Sequence, residues 1–311
     1  MKIFITGGAG FIGTTLVPKL LENNHEVIVY DCLLHSGNPL IPFFRYKNFK
    51  FIRGDIRDFN HLKESSNGCD IVIHLAAIVG FPACRLNPDR AVEVNVDGTI
   101  NVINAVHNRI PILYGSTGSN YGTVTEICTE ETPLNPLSLY GETKTEAENI
   151  LLERGNCVAF RFATAFGISP RMRLDLLVND FTNKCLRDGY LVVYEKQFMR
   201  TFIHVSDIAN SFIFAIDNLE NMRNNVYNVG DDSMNFSKAA VCRMIADKTS
   251  AFIHFEEIGN DADKRDYIVS YEKIKKLGFS IDVSMREGID EMCEALKVID
   301  FQDTYVNAKY C

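Results

Sequence analysis

Tyr140-Gly-Glu-Thr-Lys144 sets a phenol and an ammonium four residues apart. Positions i and i+4 of a helix share a face, so the two groups point the same way. A free tyrosine has a pKa of ~10, and a neighbouring cation favours its phenolate. Tyr140 is therefore a candidate general base close to neutral pH. Thr117, closing the run Gly115-Ser116-Thr117, supplies a second hydroxyl. A base and a hydroxyl can take the proton of an alcohol, but oxidising that alcohol also needs a hydride acceptor.

A site for one stands at the start of the chain. Lys2-Ile-Phe-Ile-Thr6 reads as a buried strand and runs into Gly7-Gly-Ala-Gly10-Phe11-Ile12-Gly13. Helical spacing follows from Thr14 to Leu21, then a second strand, Glu26-Val-Ile-Val-Tyr30, ending in Asp31. Gly7 permits the turn, Gly10 lets backbone approach a pyrophosphate, and Gly13 lets helix pack on sheet. Amides at the helix start, around Phe11 and Ile12, then face phosphate. Asp31 can accept from both adenosine ribose hydroxyls and would repel a 2′-phosphate. Cys32 after it is no arginine, so the pattern favours NAD over NADP.

The elements that must carry these groups follow in order. Residues 49–53, 70–75, 110–114 and 157–162 read as further strands, and residues 89–108 and 139–154 as long helices, the second capped by Ser138. Strand alternating with helix indicates an α/β, doubly wound parallel sheet with its ligand at the strand carboxyl ends. Beyond Gly167 the rhythm changes to shorter strands and helices. The division expected is a cofactor domain over 1–165 and a smaller mixed α/β lobe over 166–311, with about 196–230 returning to the sheet.

The chain has 311 residues, 46% of them hydrophobic, and a formal charge of −8. No basic tract suggests nucleic acid, and no apolar run is long enough to span a bilayer. Nine cysteines are scattered without metal-ligand spacing, so no metal is expected. With the first strand starting at once, no secretory leader is read, and a reduced cytoplasmic setting is expected.

Taken in order, GGAGFIG, Asp31, Gly54-Asp55-Ile56, His74-Leu75-Ala76-Ala77, Asn95, Thr117, Tyr140 with Lys144, and Arg161-Phe162 resemble the extended short-chain dehydrogenases/reductases of the nucleotide-sugar epimerase/dehydratase type. The resemblance covers the whole chain. It implies a Rossmann sheet, NAD as cofactor and a nucleotide-diphosphate sugar as substrate. It makes Asp55 and Ile56 adenine contacts, and it adds Leu75, Ala76, Ala77 and Asn95 to the cofactor set. Lys144 would also hold the nicotinamide ribose. In the second lobe, Met199-Arg200 and Asp263-Lys-Arg265 resemble segments whose arginines meet the substrate diphosphate, and Asn179 sits where an amide often joins them. Family members often form homodimers through the helices here at about 91–108 and 139–154.

Departures narrow the chemistry. Thr164 stands where many 4-epimerases carry asparagine. Gly118-Ser119 stands where 4,6-dehydratases carry an Asp-Glu pair, which disfavours elimination of water. The stretches 161–181, 82–84 and 264–270 are similar to bacterial enzymes that oxidise GDP-heptose at C4, and would turn Arg171 and Arg173 to the substrate. The expected reaction is oxidation of a sugar C4 hydroxyl, with Tyr140 as base, Thr117 sharing the hydrogen bond and Lys144 keeping Tyr140 acidic. A 4-dehydrogenase releases the keto sugar and a 4-epimerase reduces it again. The alternatives are a 4,6-dehydratase and a non-catalytic NAD-binding sensor. Cys84 and His204 are expected to be structural.

Overall fold

Apolar alternation along the strands sets the architecture. The computed structural model describes residues 1–257, 265–301 and 307. Seven strands form one sheet, in the edge-to-edge order Asn225–Val229, Cys157–Phe162, Ile112–Thr117, Ile71–His74, Lys2–Thr6, Glu26–Asp31, Phe49–Arg53. Every pairing is parallel. Successive side chains point to opposite faces. Ile3, Ile5, Val27, Val29, Ile71 and Ile73 therefore share one core with Leu16, Leu20 and Phe212, from the helices Gly13–Glu22 and Val205–Asp217. Phe4, Ile28, Val72, Ile112 and Tyr114 share the other with Leu62, Val102, Ala147 and Leu151. Helices on both faces bury the central strands, as parallel strands require, and leave the edge strand Phe49–Arg53 partly exposed. Strand order reverses between Lys2–Thr6 and Ile71–His74, and a crevice opens there at the carboxyl ends.

The helix expected over 139–154 is Leu139–Arg154, and Ser138 Oγ accepts from Gly141 N at 3.2 Å. The single helix expected over 89–108 is instead three pieces: Pro88–Val92, a π-helical turn Glu93–Asp97, and Gly98–Ala105. A π turn inserts one extra residue into the coil, and here it carries Asn95 to the interior. The chain leaves the helix at Val106, which is extended.

A second lobe packs around Phe166, Val178, Leu191, Phe202, Val241 and Ile289. It holds a three-stranded sheet of Asn235–Ser237, Met199–His204 and Thr164–Phe166. Two strand pairs complete the small sheets: Tyr190–Tyr194 with Phe252–Glu256, and Thr123–Cys128 with Asp266–Val269. The sequence does not announce Thr123–Cys128, which is largely exposed and takes its partner from far along the chain. Among the described residues no helix is long and apolar enough to cross a membrane, and no group of three or more His, Cys, Asp or Glu could hold a metal ion.

Candidate functional site

A cleft of about 830 Å³ follows the strand carboxyl ends and continues under the second lobe. Its first wall is backbone. Gly7 has φ +73°, and a Cβ there would lie 2.5 Å from Ala76 N; a Cβ on Gly13 would meet Gly8 Cα at 2.5 Å. Both turns therefore demand glycine. A Cβ on Gly10 would meet only Gly7 O, at 3.2 Å, so its cleft side is open to a ligand. The following helix starts at Gly13 without a side-chain cap. Thr14 N and Thr15 N already donate to Gly10 O and Ile12 O, so an anion would be met by the amides just ahead of them, from Phe11 to Gly13.

Asp31 lines the cleft beside this loop. Its Oδ2 accepts from Ala9 N at 3.0 Å and its Oδ1 from Leu33 N at 2.8 Å. A carboxylate offers about four acceptor positions, so two are left for ribose hydroxyls. Burial pushes its pKa up, against the two amides and the charge of Arg171. Asp55 and Ile56 line the same end, with Asp55 paired to Arg57 at 2.8 Å, and that hydrogen-bonded pairing lowers the pKa of Asp55. Leu75, Ala76 and Ala77 form the facing side. The open cradle, the uncapped helix and the spare acceptors of Asp31 fit a dinucleotide.

Tyr140, Lys144 and Thr117 meet at the far end of the cleft. Burial raises the pKa of the Tyr140 phenol; the nearby Thr117 hydroxyl and the charges of Arg173 and Arg265 oppose this without reversing it. The Lys144 ammonium lies over the face of Tyr114, 4.0 Å from its ring centroid. Burial lowers Lys144 to about 7, with Glu148 resisting.

Glu148, one helical turn beyond Lys144, is wholly buried and was not singled out from the sequence. Its carboxylate takes Arg161 Nη2 at 2.6 Å and Ser116 Oγ at 2.6 Å. Arg161 also donates to Tyr121 Oη at 3.0 Å, and Tyr121 donates to Asn228 Oδ1 at 2.7 Å. This network ties the Tyr140 helix to three strand ends. The available signal was the repeated spacing 140, 144, 148 along one helix face.

The second-lobe residues divide. Arg265 Nη1 donates to Ser119 Oγ at 2.6 Å, and Thr117 Oγ1 donates to the same oxygen at 3.2 Å. Asp263 and Lys264, expected beside Arg265, lie outside the described residues. Arg200 is 1% exposed and lines the cleft. Thr164 lines it too, and its buried hydroxyl has no partner among the described residues. Arg173 pairs with Asp175 at 2.6 Å and acts on Tyr140. Arg171, two residues earlier, lines the same cleft. Its backbone N donates to Thr14 Oγ1 at 3.3 Å, its charge acts on Asp31, and it acts on His35 together with Arg173.

Asn95 and Asn179 do not line the cleft, contrary to expectation. Asn95 accepts from Ile78 N at 2.7 Å and donates to Ile78 O and Thr143 Oγ1, both at 3.0 Å. Asn179 accepts from Gly167 N at 3.0 Å and donates to Gly167 O at 3.2 Å and Arg173 O at 2.8 Å. Both amides are spent within the protein, Asn179 on backbone and Asn95 on backbone and the Thr143 hydroxyl, and hold the walls from behind. His204 caps the helix Val205–Asp217 and meets Glu291 at 2.7 Å. Cys84 is buried, its thiol donating to Ile78 O at 3.4 Å.

Comparison with known proteins agrees with this geometry. UDP-glucuronic acid decarboxylase 1 of Arabidopsis thaliana is 30% identical, over 99% of this chain and 71% of its own length. CDP-paratose 2-epimerase of Salmonella typhi is 27% identical, over 94% of this chain and 98% of its own. The structure of UDP-glucuronic acid 4-epimerase from Bacillus cereus, in complex with UDP-glucuronic acid and NAD, superposes with a TM-score of 0.85. It is 25% identical and covers 96% of this chain and 99% of that one. Residues 3–230 match the family model described as the NAD dependent epimerase/dehydratase family. The chain belongs to the NAD-dependent epimerase/dehydratase family, and NAD is its cofactor.

Proposed function

We propose that the protein oxidises the C4 hydroxyl of a nucleotide-diphosphate sugar. The observation that carries this is the convergence of Tyr140 and Thr117 on one end of the cleft, with Lys144 one turn away on the same helix. Tyr140 takes the hydroxyl proton and Thr117 steadies the oxygen as it becomes a carbonyl. NAD, when bound, accepts the hydride. Thr117, Arg173 and Arg265 favour the phenolate, which offsets part of the burial penalty. Lys144, near neutrality, can exchange a proton with Tyr140 and holds the nicotinamide ribose. Arg200 and Arg265 take the substrate diphosphate, for which guanidinium forks suit charge and geometry. Thr164 offers a hydroxyl to the sugar.

Ser119 holds Arg265 where elimination of water would need an acid and a base, which disfavours the dehydratase reading. GDP-heptose as the substrate rests on the sequence stretches alone, whereas the relatives above are named for UDP and CDP sugars. A homodimer through the helices Gly98–Ala105 and Leu139–Arg154 belongs to the same proposal.

The test is purified protein with NAD and a panel of nucleotide sugars, each deuterated at C4 or at C2. Label from C4 recovered in NADH means a dehydrogenase; a new C4 epimer by NMR without net NADH means an epimerase. Label leaving only C2 defeats the proposal and favours the chemistry for which the 2-epimerase relative is named. A sugar that raises the melting temperature without turnover would point to a sensor.

A further inference from the structure

Arg171 is a charged side chain that the C4 chemistry above does not use. It is 5% exposed, comes from the second lobe and lines the cleft, where its segment meets the glycine loop. Contacts of Arg171 and its neighbours fix the segment there. Its backbone N donates to Thr14 Oγ1 at 3.3 Å, one residue past Gly13. Ser169, two residues earlier, donates to Phe11 O at 2.7 Å and meets Thr14 Oγ1 at 3.0 Å. The Arg171 Nη2 donates to Asn307 Oδ1 at 2.8 Å, and Asn307 Nδ2 donates to Val79 O at 3.4 Å. The segment thus straps the glycine loop, and Met172, Leu174 and Val205 seal it against Phe11.

The guanidinium consequently lies between two landmarks. On one side is Asp31, whose carboxyl it pulls downward. On the other is the loop after strand Ile71–His74, which Asn307 connects to it. A dinucleotide with its ribose on Asp31 and its nicotinamide toward Tyr140 must carry its pyrophosphate across this interval. The loop amides meet that pyrophosphate from below. We infer that Arg171 meets it from above, so that the second lobe itself clasps the cofactor. The inference rests on NAD occupying this cleft, and not on which sugar carbon is oxidised.

The clasp has a consequence for the reaction class. A cofactor held from both sides leaves slowly, which suits an enzyme that returns its hydride within one binding event.

The experiment is isothermal titration of wild type, Arg171→Gln and Arg171→Lys with NAD, ADP-ribose, adenosine and UDP. Thermal unfolding confirms that each variant is folded. Loss of one partner to a buried phosphate removes a charge-assisted bond, so R171Q is expected to weaken NAD and ADP-ribose about tenfold or more. Adenosine, which has no phosphate, should bind unchanged, and R171K should recover part of the loss. Cofactor carried through gel filtration should fall in the same order. Equal weakening of NAD and adenosine would overturn the inference, because the substitution would then act through Asp31. Weakened UDP with unchanged NAD would also overturn it, by returning Arg171 to the substrate. Wild type failing to bind NAD at all would instead strike the cofactor site itself.

Discussion

The cofactor wall of the cleft and the wall facing Tyr140 are made of different material. The first is backbone: Gly7 and Gly13 sit where a β-carbon would strike a neighbour at 2.5 Å, and Ala76 and Ala77 continue the surface. The second is long side chains: Arg173, Arg200 and Arg265, delivered by separate segments of the second lobe. A backbone surface fixes one ligand shape tightly. A side-chain surface can change its ligand by single substitutions. The contrast fits a family whose members are named for different sugars and different reactions.

The sharpest break between the walls is Tyr140→Phe. It should cut turnover by about 10²–10⁴-fold, the usual worth of a positioned acid–base group. NAD affinity by titration should stay as in wild type; normal turnover in this variant would sink the mechanism. Next comes Glu148→Ala, which strands Arg161 in the interior. Removing one member of a buried ion pair costs about 3–5 kcal/mol, to be read from urea unfolding. That loss belongs to the scaffold shared by both walls, so both ligands should weaken only through unfolding.

The two buried amides give a matched pair. Asn95→Ala frees the Ile78 loop on the cofactor side, and Asn179→Ala frees Gly167 and Arg173 on the other. Each leaves backbone groups unsatisfied, at a cost of about 1–3 kcal/mol. N95A should raise the NAD dissociation constant, and N179A the KM of the sugar substrate. Swapped phenotypes would erase the distinction between the walls.

The last effect is a pH slope, spread over several pH units. His74 lies buried between Thr6 Oγ1 at 2.7 Å and Thr99 Oγ1 at 2.9 Å, and burial lowers its pKa from 6.5 to about 3. Between those values the unfolded chain binds the extra proton, so stability falls as pH drops through that window. His74→Asn should flatten the slope by one proton in urea midpoints taken from pH 7 down to pH 4.

The same contrast decides what the sequence could reveal. The glycine loop is local: strand, turn, helix and acid lie within thirty-one residues, and spacing alone relates them. Tyr140 and Lys144 are legible for the same reason, being one turn apart on a capped helix. Arg171 and Arg173 are not. They sit in an irregular segment after Gly167, at φ +106°, where no period says which wall a side chain faces. The π turn that carries Asn95 inward is equally hidden, because a period of 3.6 cannot foresee it. Burial of Tyr140, which raises its pKa, is likewise not shown by spacing.

The position of Asn225–Val229 also bears on biosynthesis. This strand closes the large sheet beside Cys157–Phe162, yet the chain must first pass through much of the second lobe to reach it. As the polypeptide emerges from the ribosome, the Cys157–Phe162 edge waits unpaired until residue 229 is free. An open, apolar strand edge is a template for pairing with other chains. Expressing residues 1–165 alone would make that waiting state permanent, so the portion of the chain that looks most like a self-sufficient unit is the one whose isolation exposes an aggregating edge.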